Sequence, residues 1–297
     1  MADATMRAAI VYDFDGTLAA GDCAQHGLLP ELGVSDIASF WSQVKEETKD
    51  RDGDEILTYL GCLALQARAA RKQAELTPQR LRIHGKAIPL FPGVESWFDR
   101  INQHAAEQGI SLEHYIVSSG IEEMIQGTTI SKHFKRVFGC RYHYDKKTGN
   151  AKWPAVAINY TTKTQYIFRI NKGVLNSYDN SKVNEFVEPS QREVPFTNMI
   201  YLGDGDTDIP CMRLVKDQGG CSIAVFDVGK WEESRTLDKI GKLIAEDRVN
   251  FVVPGNYEER SQLDVTVKGV LRRFARQACR NVNAVQHQDT AGVQEES

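Results

Sequence analysis

AAIVYDFDGT, residues 8–17, decides the fold of this chain. Ala8 to Tyr12 form a short apolar run of the kind found in a strand buried on both faces of a parallel sheet. Asp13 and Asp15 follow at its carboxyl end, where open α/β sheets place their ligands. Two like charges this close are unfavourable without a cation, a nearby lysine or a shared proton. A hard divalent ion such as Mg²⁺ suits oxygen ligands best. The same residues also suit a plain turn, because Asp15-Gly16 is a common hairpin signal.

With 297 residues the chain can form one large domain or a core carrying an inserted module. A formal net charge of −4 gives no electrostatic case for a nucleic-acid partner. The start, MADATMRAAIVYD, lacks the apolar segment of a signal peptide, and no run approaches the ~20 apolar residues of a membrane span. The expected setting is therefore cytoplasmic, with no membrane partner; oligomeric state is not legible. Cysteines 23, 62, 140, 211, 221 and 279 form no C-x-x-C pair, which argues against a zinc site and a disulfide scaffold. No H-x-x-x-H spacing occurs, and the histidines are assigned no chemistry.

Further buried-strand runs recur at Tyr115-Ile116-Val117, Met199–Leu202, Ser222–Phe226 and Asn250–Val253. Helix-like stretches at 95–109 and 211–220 separate them, each closing on Gly. Such alternation predicts an α/β, Rossmann-like parallel sheet flanked by helices. Two segments break the rhythm. Residues 23–90 are long, charged and helical in pattern, predicting an inserted helical cap that returns through Pro89 and Pro92-Gly93. Residues 136–172, with RVFGCRYHYD, the turn-like KKTGN, AVAINY and TQYIFRI, suggest a small β-hairpin flap. The expected domains are a core of 1–22 and 91–281, a cap of 23–90, and a polar, disordered tail of 282–297. VLRRFARQACR at 270–280 reads as a solvated amphipathic helix.

Three features fall where a parallel sheet would bring them beside the two aspartates. Ser118-Ser119-Gly120 ends one strand, offering hydroxyls and free NH groups to a phosphate, although a simple helix cap fits as well. Lys182, in NSYDNSKVNEF, is a cation near a helix start, where the helix dipole does not favour it; Lys163 and Lys172 are rivals. GDGDTD at 203–208 follows the strand MIYL. It does not begin a calcium-binding EF-hand loop, whose sixth and twelfth positions would be Gly and Glu but are Ile209 and Val215. Asp204 instead reads as a strand-end metal ligand, with Asp208 one turn away to support the lysine or the metal's waters. Asp206 reads as turn chemistry.

The order D-x-D-G-T, a strand ending in Ser, Lys, then G-D-x-x-x-D resembles the four motifs of the haloacid dehalogenase (HAD) superfamily over residues 8–22 and 91–255. The helical insert resembles the C1-type cap of its phosphoserine-phosphatase-like subgroup. This resemblance implies that Asp13 is a nucleophile forming an aspartyl-phosphate and Asp15 a general acid that then acts as base toward water. It implies Mg²⁺ held by Asp13, the Asp15 backbone carbonyl and Asp204, with Ser118 and Lys182 holding phosphoryl oxygens and Thr17 orienting the Asp15 loop.

Asp15 favours phosphate chemistry over dehalogenation, which needs no acid for an alkoxide leaving group. A phosphotransferase or phosphomutase shares both aspartates, and a non-catalytic module on the same scaffold is the alternative of a different class. Asp22 falls near the acidic residue that phosphoserine phosphatases direct at the substrate amine, but their Arg-bearing cap motif is not recognisable in KDRDGDEILTYLGCLALQARA. The expected substrate is a small phosphorylated metabolite. Phe40, Trp41 and Tyr59 are read either as cap core or as pocket lining.

Overall fold

The computed structural model describes residues 6–292, with side chains to residue 280. Seven strands form one sheet: β1 (Met6–Tyr12), β2 (Ile110–Ile121), β3 (Arg136–Tyr144), β4 (Ala151–Val156), β5 (Met199–Gly203), β6 (Cys221–Phe226) and β7 (Phe251–Pro254). Their order is β4-β3-β2-β1-β5-β6-β7, parallel throughout except for the antiparallel edge strand β4. Ala8 to Tyr12 are fully buried, as expected of a central strand covered on both faces. Tyr12 pairs in register with both Ile116 of β2 and Leu202 of β5. Asp13, Val117 and Gly203, the residues that follow this row, therefore stand side by side at one level of the sheet.

Helices α1 (Leu28–Glu31), α2 (Ile37–Asp50), α3 (Glu55–Ala69) and α4 (Pro78–Gly85) fill the segment between β1 and α5 (Val94–Glu107). Asp36, Asp54 and Thr77 cap α2, α3 and α4, each accepting a backbone NH three residues on. The core continues through α6 (Glu122–Gln126), α7 (Tyr160–Lys172), α8 (Asn180–Asn184), α9 (Ile209–Asp217), α10 (Ser234–Ala245) and α11 (Gln262–Gly292). Leu263, Val267, Val270, Leu271 and Phe274 bury one stripe of α11, so the basic stretch at 270–280 belongs to an amphipathic helix. The disordered tail expected from 282 is not what the structure gives up to Gly292, because α11 continues through those residues; 293–297 lie outside the described residues.

The 136–172 segment differs from the expected flap. β3 and β4 form the hairpin around 145–150, but TQYIFRI belongs to α7. Asn159 and Thr162 form a reciprocal capping box there. Lys163, Tyr166, Ile167 and Ile170 are buried at helical spacing, so this face is set by packing in spite of the β-prone residues Thr, Tyr, Ile and Phe.

Helix α5 is fastened to the sheet by a buried polar chain. Trp97 Nε1 donates to Tyr12 Oη (2.9 Å), which lies 3.0 Å from His114 Nδ1; His114 Nε2 lies 2.8 Å from Asn102 Oδ1. Burial pushes the His114 imidazole down to about 3. A neutral ring that donates from Nε2 and accepts at Nδ1 satisfies every partner. Trp97→Ala removes both the fully buried indole and the first link of this chain. Unfolding in urea should show a loss of about 3–5 kcal/mol.

Candidate active site

Asp13 leaves β1 with its backbone NH on Leu202 O (2.8 Å), which binds the loop to β5. Phe14 O accepts from the NH groups of Thr17, Leu18 and Ala19, curling residues 14–19 into a tight turn. Gly16 has a φ of +72°, and a Cβ there would lie 2.6 Å from Asp204 Oδ2, so a glycine allows both the turn and the approach of the second acidic loop. The Asp15-Gly16 pair is thus a turn as well as part of a site, and the two sequence readings are compatible.

Asp13 is nearly fully buried. Its Oδ1 accepts from Phe14 N (2.8 Å) and faces Lys163 Nζ at 3.1 Å. Lys163 Nζ also donates to Asp208 Oδ1 (2.7 Å) and Thr207 Oγ1 (3.1 Å). Lys163 and Asp208 are fully buried, so one ammonium serves two carboxylates away from water. Asp208 is saturated: Oδ1 also accepts from Tyr201 Oη (2.6 Å), and Oδ2 faces the NH groups of Asp204 (3.1 Å) and Gly205 (3.3 Å). It fixes the lysine and the 203–208 loop rather than offering a free ligand oxygen.

Lys163 takes the place that the sequence reading assigns to Lys182. Lys182, in α8, has a side chain 67 % exposed and lies 3.8 Å from Asp179 on the surface. Lys172 donates to the carbonyls of Val183 and Glu185 and ties down that same segment. The misassignment has one cause. Reading TQYIFRI as a strand hides the helical face that delivers Lys163 one turn after the Asn159 cap.

Ser118 and Ser119 lie in an irregular stretch of β2, where pairing with β3 shifts between Val117 and Ile121. The strand continues to Ile121, so these hydroxyls stand at a bulge and not at a helix start. Ser118 Oγ is fully buried and accepts from Gly120 N (3.0 Å). Thr17 Oγ1 is buried without a hydrogen-bond partner, while its carbonyl accepts from Tyr257 Oη (2.9 Å). Asp206 is exposed.

A cavity of about 440 Å³ joins Asp13, Asp15, Ser118, Ser119 and Asp204 to Trp41 of the helical segment. Trp41 stacks on Tyr59 at 4.9 Å between centroids, and Tyr59 and Phe40 are buried. Of the three aromatics, two are core and Trp41 lines the site. Asp22 faces the cavity too and accepts from Ala24 N (2.8 Å); burial raises its carboxyl to about 6.

Burial, with the Asp208 charge adding to it, raises the Asp13 carboxyl to about 8, against the pull of Lys163. Burial raises the Asp15 carboxyl well above the usual range, and the charges of Asp22 and Asp13 add to that. A carboxyl raised in this way favours its protonated form and is suited to donate. Asp15 Oδ1 is itself buried without a partner.

The donor set fits a hard divalent ion. Carboxylate oxygens of Asp13, Asp204 and Asp208 lie within 4.8 Å of one another, and all the offered donors are oxygen. Because Asp208 is saturated by four contacts, Asp13 and Asp204 are the carboxylates left to ligate.

A parallel sheet whose central strand ends in two carboxylates, faced by a buried lysine and a second acidic loop, defines a Rossmann-like α/β protein with a strand-end acidic site. The family model for haloacid dehalogenase-like hydrolases matches residues 10–213, and the chain belongs to that family. An uncharacterized protein of Borreliella burgdorferi is 32 % identical over 231 residues, covering 70 % of this chain and 78 % of that protein. A HAD family hydrolase from Salmonella enterica serovar Typhi shares the fold with a TM-score of 0.51 at 15 % identity, over 88 % of this chain and 70 % of that one. A probable phosphoserine phosphatase from Vibrio cholerae gives the same score and identity over 92 % and 67 %. Among the described residues no helix is long and apolar enough to cross a membrane.

Proposed function

We propose that this protein is a Mg²⁺-dependent phosphatase that hydrolyses a small phosphomonoester through an aspartyl-phosphate on Asp13. The observation that carries this reading is the pairing of Asp13 Oδ1 with buried Lys163 beside an Asp15 oxygen that has no partner in the same cavity. The Lys163 ammonium opposes the burial that raises Asp13, and a bound divalent cation would add to it and favour the carboxylate, so that an oxygen of Asp13 attacks phosphorus as the bond to the leaving oxygen breaks. Asp15, protonated, gives its proton to that oxygen; as carboxylate it then takes one from the water that cleaves the acyl-phosphate. Ser118 Oγ and Lys163 Nζ hold the phosphoryl oxygens. Mg²⁺, when held by Asp13, Asp204 and the Asp15 carbonyl, supplies the positive charge that lets an anionic nucleophile meet an anionic ester.

Asp15→Asn separates the two half-reactions. p-Nitrophenolate leaves without a proton, so with p-nitrophenyl phosphate and Mg²⁺ the variant should release about one equivalent of nitrophenolate per chain and then stall. Stopped-flow absorbance and intact-mass detection of a phosphorylated chain check this. Steady turnover with no burst would assign the proton transfers elsewhere. A panel of phosphorylated metabolites, assayed for inorganic phosphate release with and without EDTA, identifies the substrate and tests the metal requirement.

A further inference from the structure

We propose that Lys239 of α10 is a built-in competitor for the divalent cation at Asp204, making this chain bind Mg²⁺ more weakly than its carboxylates alone would; this rests on the Mg²⁺ reading above. Lys239 Nζ donates to Asp204 Oδ2 at 3.1 Å. That oxygen is the one facing the nucleophile loop, since it is the atom a Cβ on Gly16 would meet first. The ammonium therefore occupies a carboxylate oxygen of Asp204 that an ion shared with Asp13 would also draw on. The Lys239 stem lies directly over Gly205, whose φ is +152°. A Cβ at 205 would stand 1.6 Å from Lys239 Cε and 2.2 Å from Nζ, so the glycine is what lets the lysine reach in.

Lys239 is distinct from the lysine of the site. Lys163 is bound to Asp13 and Asp208 in the interior, whereas Lys239 comes from α10 and lines the cavity with its side chain 25 % exposed. Among the described residues Asp204 is its one ion-pair partner, although Glu233 and Asp238 lie on or beside the same helix. A divalent ion at Asp204 must break this pair and meet a positive charge at close range. Partial exposure lets the ammonium swing out to water or to an incoming anion, so the competition is reversible.

The test is Mg²⁺ binding to the full chain, stripped with EDTA and titrated with MgCl₂ by isothermal titration calorimetry, with Mg²⁺-induced thermal shift as a second readout. Lys239→Met should bind roughly tenfold more tightly than wild type, the scale of one nearby charge in a partly screened site. Lys239→Arg, which keeps the charge, should stay within about threefold of wild type. Lys239→Gln replaces the Met variant if that one does not fold. Equal or weaker binding by the neutral variants overturns the proposal. Asp204→Asn tests the underlying reading separately: wild-type affinity there places the ion elsewhere and removes the basis for both.

Discussion

Asp13→Asn is expected to lower turnover of p-nitrophenyl phosphate by about four orders of magnitude or more, with no loss of folded protein. The amide matches the carboxylate in shape but cannot attack phosphorus, and Phe14 N and Lys163 Nζ still find an oxygen acceptor. Lys163 also retains Asp208 at 2.7 Å. The substitution removes a carboxyl that burial and Asp208 raise from 3.8 to about 8. A group raised on folding adds stability that is complete below the unfolded value and disappears as pH rises through the folded one. Without metal, wild type should therefore gain stability as pH falls from about 8 toward about 4, and Asp13→Asn should show a shallower slope over that window. Thermal denaturation across pH in EDTA measures it. Retained turnover would exclude Asp13 as the nucleophile.

Lys163→Met should be less damaging to activity and far more damaging to the fold. The ammonium is the shared cation of two buried carboxylates, Asp13 and Asp208, and its loss leaves both without their countercharge. Breaking a buried pair from one side costs about 3–5 kcal/mol. The phosphoryl group also loses a cationic hydrogen-bond donor, worth about a hundredfold to a thousandfold in rate. Lys182→Met, by contrast, removes a surface ammonium from a weak pair and should leave both urea midpoint and turnover within error of wild type. Rates are to be compared at a temperature where circular dichroism shows both variants folded. Equal behaviour of the two variants would refute the placement of Lys163 in the site.

The parts of the site legible in the chain are those fixed by a strand end. Asp13 and Asp204 each follow a short apolar run, and parallel strands release their carboxyl ends on one edge; Ser118 follows a third such run, although β2 continues past it through a bulge. Lys163 was not legible in that way. It comes from a helix whose residues Tyr160 to Ile170 are rich in β-prone types, and the signal that finds it is the Asn159-x-x-Thr162 capping pair followed by helical spacing. Lys239 carries no motif at all.

From its residues alone this chain specifies a parallel α/β sheet, a helical insert after the first strand, and a cluster of strand-end carboxylates that needs a cation. Apolar periodicity and backbone connectivity are properties of the linear sequence, and they suffice for that. Which lysine supplies the charge, that Asp208 is saturated while Asp15 keeps an oxygen without a partner, and that Lys239 crosses Gly205 to Asp204 are decided by tertiary structure. A long flexible cation is placed by the carboxylates it finds in the folded chain, and burial then sets how strongly each charge is felt.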